Sequence, residues 1–402
     1  MQQTHLWPQE AVEVDGSITV AVTIEYPNEQ PRSHLWYRVP SEFGSLLSDS
    51  CDPFVVAMIL PAMFHSAPLV VHGTVSPSLL QNLEEFQAAW ACWRPNLYKK
   101  IEITAEVEQE TPKPPLEAAI AAFSGGVDSC FTAFRHHASP SRRFQHNLQA
   151  GLMVHGFDIP LEDQQAFDGA AQKSKAILTS LGIKFIPITT NYRQVEQKLN
   201  WVDAYGPAVA SSLMLFQNGY TIGLIASAFS YHNLLLPRGS NPITDPFLSS
   251  KAFQLVHDGA GYTRLEKIRE IAHWQEARQN LRVCWQGAQK DRNCGQCEKC
   301  IRTILGFRVL GLGLPSCFEQ DVTDQQILGI RGLTEIQRYD LELILEAAKG
   351  SVSGSWVTAL EQCISRNRQE GAKLDKWAAL KQSLPPSLRK PLRSLRSRLS
   401  FK

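Results

Sequence analysis

The chain has 402 residues, of which 44% are hydrophobic and 20% are charged, and its formal net charge is +1. This composition excludes a disordered acidic polymer and a coiled-coil rod, and the length indicates two or three globular units. The longest uninterrupted apolar segments are far shorter than the ~20 residues that cross a bilayer, so no membrane span is expected.

The two ends of the chain differ strongly in charge. Residues 1–111 contain 14 acidic and 5 basic residues, whereas residues 385–402 contain six basic residues and no acidic one. The acidic N-terminal part is therefore a candidate surface for a protein partner, and the basic tail is a candidate for binding an anionic surface.

The start of the chain lacks a basic stretch followed by an apolar one, which predicts no signal peptide and a cytoplasmic location. In such a compartment the nine cysteines are expected to be thiols or metal ligands rather than disulfides.

Residues 1–111 are predicted to form an N-terminal α+β module. Five segments are rich in β-branched and aromatic residues and are separated by proline, glycine and aspartate clusters, which predicts strands. These segments are 18–26, 34–40, 53–60, 68–75 and 100–107. Between the last two, a helix is predicted with Ser76 as its N-cap and Pro77 at the first helical position. The proline-rich residues 111–115 mark the predicted boundary of this module.

From residue 116 the pattern alternates between strands and helices, which indicates an α/β fold with a parallel, doubly wound sheet covered on both faces. The predicted strands of this core are 117–123, 150–157, 183–189 and 220–227. The core is predicted to span residues 116–312 and to be followed by a helical extension over residues 313–384. Residues 385–402 form the basic tail, in which leucines recur at helical spacing.

The sharpest local signal is the sequence SGGVDS between the first core strand and the helix after it. Its residues are Ser124, Gly125, Gly126, Val127, Asp128 and Ser129. Glycines let the backbone turn sharply and approach an anion, and a helix start presents unpaired N–H groups and a positive dipole end. The motif therefore predicts a cradle for a pyrophosphate group, and an ordinary tight turn with serine capping is the alternative. Neither a Walker A loop nor a GxGxxG fingerprint is present here.

At this turn the chain resembles the PP-loop ATP pyrophosphatases, whose signature is SGGxDS at the first strand-to-helix turn. The resemblance implies an adenine nucleotide α-hydrolase-like core that splits ATP between its α and β phosphates. It also implies that Ser124, Gly125, Gly126 and Ser129 hold the pyrophosphate. Asp128 would place Mg²⁺ or order the loop, and Ser124, Asp128 and Ser129 would be the catalytic residues.

Four cysteines near residue 290 form the second signal. They are Cys284, Cys294, Cys297 and Cys300, and the last three are separated by two residues each. Four thiolates at this spacing suit a tetrahedral Zn²⁺ site, whereas an Fe–S cluster and free or redox-active thiols are the alternatives. Because four cysteines leave no coordination position for a substrate, the predicted role of the metal is structural.

Together, the two signals resemble 7-cyano-7-deazaguanine synthase, the QueC family. The resemblance rests on the CWQG sequence from Cys284, the CGQCEKC sequence from Cys294, Arg302 and Gly306-Phe307, and it covers roughly residues 117–312. It implies that four further residues lie beside the adenosine at strand ends, namely Gly156, Phe157, Asp158 and Ser227.

The chain departs from this family in three respects. The family usually lacks an N-terminal module of this size and a C-terminal extension near 90 residues, and its acidic, aromatic substrate loop is replaced here by residues 237–246. The candidate substrate residues in this loop are Arg238, Ser240, Asn241 and Asp245. Arg238 would contact an anionic group and Asp245 would bind Mg²⁺ or a base edge, and a purely structural loop is the alternative.

The expected function is an ATP-dependent ligase that forms C–N bonds and releases AMP, with structural Zn²⁺, ATP and Mg²⁺ as cofactors. By resemblance, it adenylates a deazapurine or other carboxylate, and ammonia or an amine then gives an amide, a nitrile or a conjugate. QueC-like proteins also occur in bacterial anti-phage systems, and extra modules fit such recruitment. A tRNA-modifying PP-loop enzyme and a nucleotide-binding scaffold without turnover are the alternatives. A homo-oligomer is expected.

Overall fold

The computed structural model describes residues 3–27, 32–137, 143–195, 197–349 and 354–383. Eleven strands of this part share one sheet. They are β1 (Thr4–Pro8), β2 (Val12–Val14), β3 (Ser17–Glu25), β4 (Ser33–Pro40), β5 (Leu69–Val75), β6 (Ile103–Glu108), β7 (Ala119–Ala122), β8 (Leu148–His155), β9 (Lys184–Thr190), β10 (Ile222–Ala226) and β11 (Gln254–Asp258).

Helices pack on both faces of this sheet. They are α1 (Asp52–His65), α2 (Pro77–Trp93), α3 (Val127–His137), α4 (Gln164–Thr179), α5 (Tyr192–Val195), α6 (Trp201–Met214), α7 (Arg264–Ile271), α8 (Gln275–Asn280), α9 (Glu298–Val309), α10 (Asp324–Gly329), α11 (Glu335–Lys349) and α12 (Ser355–Ser383). None of the helices in the described residues is long and apolar enough to cross a membrane.

The sheet runs in the order β11-β10-β7-β8-β9-β4-β3-β1-β5-β6, and β2 pairs with β3. Strands β7 to β11 are parallel to their core neighbours, which confirms the mostly parallel α/β core. Strand β4 pairs antiparallel with β9, where Tyr37 lies opposite Thr190. The N-terminal strands therefore extend the core sheet, and sheet hydrogen bonds join the two sides of the predicted boundary at 111–115.

The segment 53–60 is a correction, because it lies in helix α1 and not in a strand. Its β-branched residues favoured a strand, yet Val55, Val56 and Ile59 are fully buried within a helix that is buried from Asp52 to Met63. A helix that is apolar on every side has no 3.6-residue periodicity, so its sequence resembles a buried strand. The proline at its N-terminal end, Pro53, was the available sign of a helix start.

Two hydrophobic cores lie on opposite faces of the sheet. One joins the N-terminal strands with α1, α2 and α6, and the other joins α3 and the end of α4 with α7 to α12. The predicted helical extension is helical in its described part, as α10, α11 and α12. The predicted basic tail, residues 385–402, lies outside the described residues.

The five core strands, counted along the chain, take the order 3-2-1-4-5. The chain therefore leaves β7 toward β8 on one side and returns to β10 on the other. In open α/β sheets, ligands bind at the carboxyl ends of strands where the order reverses in this way. The crevice beyond β7, β8 and β10 is therefore the expected ligand site of this sheet.

Candidate functional site

The SGGVDS turn lies at the carboxyl end of β7 and leads directly into α3. Gly125 has a φ of +74°, a conformation that favours glycine, and a Cβ there would lie 3.1 Å from the Ser174 Oγ. The Ser129 hydroxyl donates to the Gly126 carbonyl at 3.1 Å, and the Ser124 Oγ lies 3.5 Å from the Ser129 Oγ. The first N–H groups of a helix have no intrahelical acceptor, so the start of α3 at this turn is suited to an anion.

The carboxylate of Asp128 is held by two cations from α7. Its oxygens accept from the Arg264 Nη1 at 3.0 Å and from the Lys267 Nζ at 3.2 Å. Burial opposes ionisation of this carboxyl group, but the positive charges of Lys267, Arg264 and Lys299 outweigh it and lower the pKa of Asp128 to about 2. Because both oxygens are engaged, the observed bonds fit a loop-ordering role for Asp128.

Lys267 also ties the turn to the end of β10. It is 1% exposed and donates to the Ser227 carbonyl as well as to Asp128. The Ser227 hydroxyl itself donates to the Phe229 carbonyl. At this strand end, Ile225 and Ala226 line a cavity beside the turn. The Ser227 side chain is instead bonded to the backbone of Phe229.

At the end of β8, Gly156 has a φ of +101°, and a Cβ there would lie 2.0 Å from the Thr190 carbonyl oxygen. Close packing against the end of β9 therefore requires this glycine. Phe157 and Asp158 follow and line the cavity, and Asp158 Oδ2 accepts from Arg282 Nη2 at 2.7 Å.

The cavity beside the turn has a volume of about 230 Å³ and lies between the carboxyl ends of β7, β8 and β10. It brings together five of the residues predicted from the sequence, namely Ser124, Asp128, Ser129, Phe157 and Asp158. Its apolar walls come from the strands and from α6, as Leu152, Val154, Val209, Ile225 and Ala226. A pocket with apolar walls and a few convergent polar groups is typical of a small-molecule site.

A second cavity of about 650 Å³ adjoins the first and shares Asp128 with it. Its wall includes Arg238, whose guanidinium lies 4.6 Å from the Phe229 ring centroid and whose buried Nε has no hydrogen-bond partner in the described residues. The exposed ring of Trp285 and residues 334–337 at the start of α11 also line it. The helical extension therefore contributes directly to this cavity.

The other candidates of the 237–246 loop have internal partners. Asp245 is fully buried and accepts from the Ser240 hydroxyl at 2.7 Å, from the Asn241 N–H at 3.0 Å and from His257 Nδ1 at 2.8 Å. The Asn241 side-chain oxygen accepts from two backbone N–H groups of the same loop, as an Asx turn does. Of the four loop candidates, the structure places only Arg238 at a described cavity, and the other three fix the shape of the loop.

The four cysteines of the second signal come together in space. The Sγ atoms of Cys284, Cys294, Cys297 and Cys300 lie within 4.8 Å of one another, and those of Cys294 and Cys300 are 3.8 Å apart. A tetrahedral zinc site with Zn–S bonds of ~2.3 Å has sulfur atoms ~3.8 Å apart. This cluster can therefore bind a metal ion such as zinc.

Three cations of the site were not proposed from the sequence. Arg264 and Lys267 lie outside the SGGVDS and cysteine motifs, and Arg282 precedes Cys284 without any motif of its own. They reach the turn through the packing of α7 and of the segment after α8, which no local pattern reveals. Comparisons with protein-family models, curated proteins and solved structures found no match for this chain.

Proposed function

We propose that this chain is an ATP-dependent ligase of the PP-loop type, similar to QueC, that adenylates a carboxylate and transfers nitrogen to it. The observation that carries the proposal is the position of the SGGVDS turn. It lies at the point where the strand order reverses and opens into a cavity between three strand ends. Ordinary serine-capped turns need no such cavity.

In this proposal the turn holds the β and γ phosphates of ATP. Backbone N–H groups at the start of α3 and the Ser124 hydroxyl donate to the phosphate oxygens, and these charge-assisted bonds strengthen as negative charge grows on the leaving pyrophosphate. No lysine follows the glycines, so the loop suits a leaving pyrophosphate better than transfer of the terminal phosphoryl group. Asp128 orders the loop through Arg264 and Lys267, and Mg²⁺ enters with the nucleotide.

The acceptor would bind in the second cavity, where Arg238 meets its anionic group. One carboxylate oxygen attacks the α phosphorus, the α–β bond breaks, and pyrophosphate leaves. Ammonia or an amine then attacks the acyl carbon, a C–N bond forms, AMP leaves with the transferred oxygen, and a proton passes to solvent. A nitrile product would require a second ATP to remove water from the amide. A 7-deazaguanine-type acid is the proposed acceptor class.

Isotope transfer tests this chemistry directly. The acceptor acid, labelled with ¹⁸O in its carboxylate, is incubated with ATP, Mg²⁺ and ammonium, and the AMP is analysed by mass spectrometry. We expect one ¹⁸O atom in the AMP, because the attacking carboxylate oxygen stays on phosphorus. AMP without the label would show that water attacks the α phosphorus and would contradict adenylation. The Ser124→Ala variant serves as the control for background hydrolysis.

We further propose that the four-cysteine cluster holds a structural zinc ion. Replacing Cys297 by serine is expected to lower the melting temperature and the solubility more than it changes any kinetic step, because metal binding in such sites contributes folding free energy. The control is Cys92→Ser, which changes an exposed cysteine outside the cluster. Elemental analysis should give one zinc per chain in the wild type, and iron, or folded protein without metal, would contradict the proposal.

A further inference from the structure

Arg282 lies against the glycine turn although it is distant in sequence. Its backbone N–H donates to the Gly125 carbonyl at 2.8 Å, and its own carbonyl oxygen would lie 3.6 Å from a Cβ at Gly126. The backbone of Arg282 therefore packs against the turn, and its side chain begins at the edge of the cavity.

The guanidinium group of Arg282 is only partly used by the protein. Its side chain is 3% exposed, its Nη2 donates to Asp158 at 2.7 Å and its Nη1 donates to the Lys290 carbonyl at 3.2 Å. Its Nε is buried and has no hydrogen-bond partner among the described residues. A buried guanidinium N–H without a partner is unfavourable, so at the wall of a cavity this N–H is available to a ligand that accepts from it.

Among the described residues that line this cavity, Arg282 is the only arginine or lysine. Arg264 and Lys267 are both paired with Asp128, and the glycine turn offers only backbone dipoles and hydroxyl groups. A pyrophosphate group carries several negative charges, and arginine can donate two parallel hydrogen bonds to phosphate oxygens. Arg282 is the described arginine at this wall, and a bound phosphate group would share its guanidinium with Asp158.

We propose that Arg282 binds the terminal phosphates of ATP, and then the leaving pyrophosphate, together with the glycine turn. Asp158 holds the guanidinium at the cavity wall, and Ser174, whose Oγ lies beside Gly125, closes the same side. This inference rests on the proposed function, because it assumes that the turn holds a pyrophosphate group. It adds to that function a cationic residue that the SGGVDS motif does not contain.

Equilibrium binding to the full-length chain tests this assignment. The probes are inorganic pyrophosphate with Mg²⁺, which requires the phosphate site, and AMP, which does not place phosphates on the turn. Arg282→Met should weaken pyrophosphate binding by about 10- to 100-fold and change AMP binding by less than about threefold, as expected for one lost charge-assisted contact. Arg282→Lys retains the positive charge but lacks the paired N–H groups of a guanidinium. It should therefore weaken pyrophosphate binding less than Arg282→Met does.

The matched control is Arg278→Met, because Arg278 lies in α8 and donates to the Leu312 carbonyl at 3.0 Å, away from the cavity. It should leave pyrophosphate binding unchanged. Unchanged pyrophosphate binding in Arg282→Met, or an equal loss for pyrophosphate and AMP, would overturn the assignment and leave the proposed function standing. If Arg282→Met does not fold, the same comparison in Arg282→Lys decides. A wild-type chain that binds neither probe would overturn both proposals.

Discussion

Replacing Gly125 by valine is expected to lower turnover by at least about 10²–10³-fold, the usual effect of losing one aligned donor to a developing charge. Two physical reasons combine. The φ of +74° is strained for a β-branched residue, and a Cβ at this position would lie 3.1 Å from the Ser174 Oγ, beside the turn. The measurement is the rate of AMP formation, with the melting temperature recorded for the same preparation.

Gly182→Val is the matched control for this change. Gly182 also has a positive φ, +68°, but a Cβ there meets no atom within 4 Å, and the residue lies after α4, outside the cavity wall. The Gly182→Val variant should therefore have backbone strain similar to that of Gly125→Val but retain turnover. Equal turnover in the two valine variants would show that the glycine turn does not hold the reacting phosphates.

Replacing Asp128 by asparagine is expected to destabilise the chain by about 3 kcal/mol, because it leaves Lys267, which is 1% exposed, without its counter-charge. The exposed pair of Lys349 and Glu361 provides the control. Both of its side chains are 58% exposed, so Glu361→Gln should cost less than about 1 kcal/mol. Urea unfolding at neutral pH measures both values.

The effect of Asp128→Asn should also depend on pH in a defined direction. The cations lower the pKa of Asp128 from its ordinary value of 3.8 to about 2, so its stabilising charge is fully present above pH 3.8 and is lost as the pH falls toward 2. The difference between wild type and variant should therefore shrink by about 1 kcal/mol between pH 7 and pH 3. A difference that stays constant or grows at low pH would show that the ion pairs do not act in this way.

The parts of the site that could be predicted are those whose chemistry lies in adjacent residues. The glycine turn occurs where a strand and a helix flank it in sequence, and the CxxCxxC spacing already brings three thiols together. For the same reason four of the five core strands were predicted, since each is a short apolar segment, whereas β11 was not predicted. The helix α3 begins at Val127, directly after the two glycines, as the motif implied.

Other features depend on packing between distant segments. No local sequence signal marks Arg264, Lys267 or Arg282 as site residues. They reach the turn because α7 and the segment after α8 pack against it. The pairing of β4 with β9, which joins the N-terminal strands to the core sheet, also has no local signature. Residues 334–337 were assigned to a separate extension, yet they line the second cavity. Long-range contacts of this kind are set by the whole fold rather than by a motif.

The helical extension helps to form the second cavity, where the acceptor is proposed to bind. The second cavity is formed partly by Trp285 beside the cysteine cluster and partly by the start of α11, so its shape depends on elements outside the SGGVDS turn. We therefore expect the turn to determine the nucleotide chemistry and this cavity to determine which acceptor is used. In enzymes, substrate preference is set by the contacts that the pocket makes with one acceptor and not with another.

We propose that ATP bound at the glycine turn is split between its α and β phosphates. The most direct test separates the nucleotide products by anion exchange after incubation with ATP, Mg²⁺, ammonium and candidate deazapurine acids. We expect AMP and pyrophosphate in equal amounts, formed only when an acceptor is present and lost in Gly125→Val. ADP and orthophosphate in their place would contradict cleavage between the α and β phosphates.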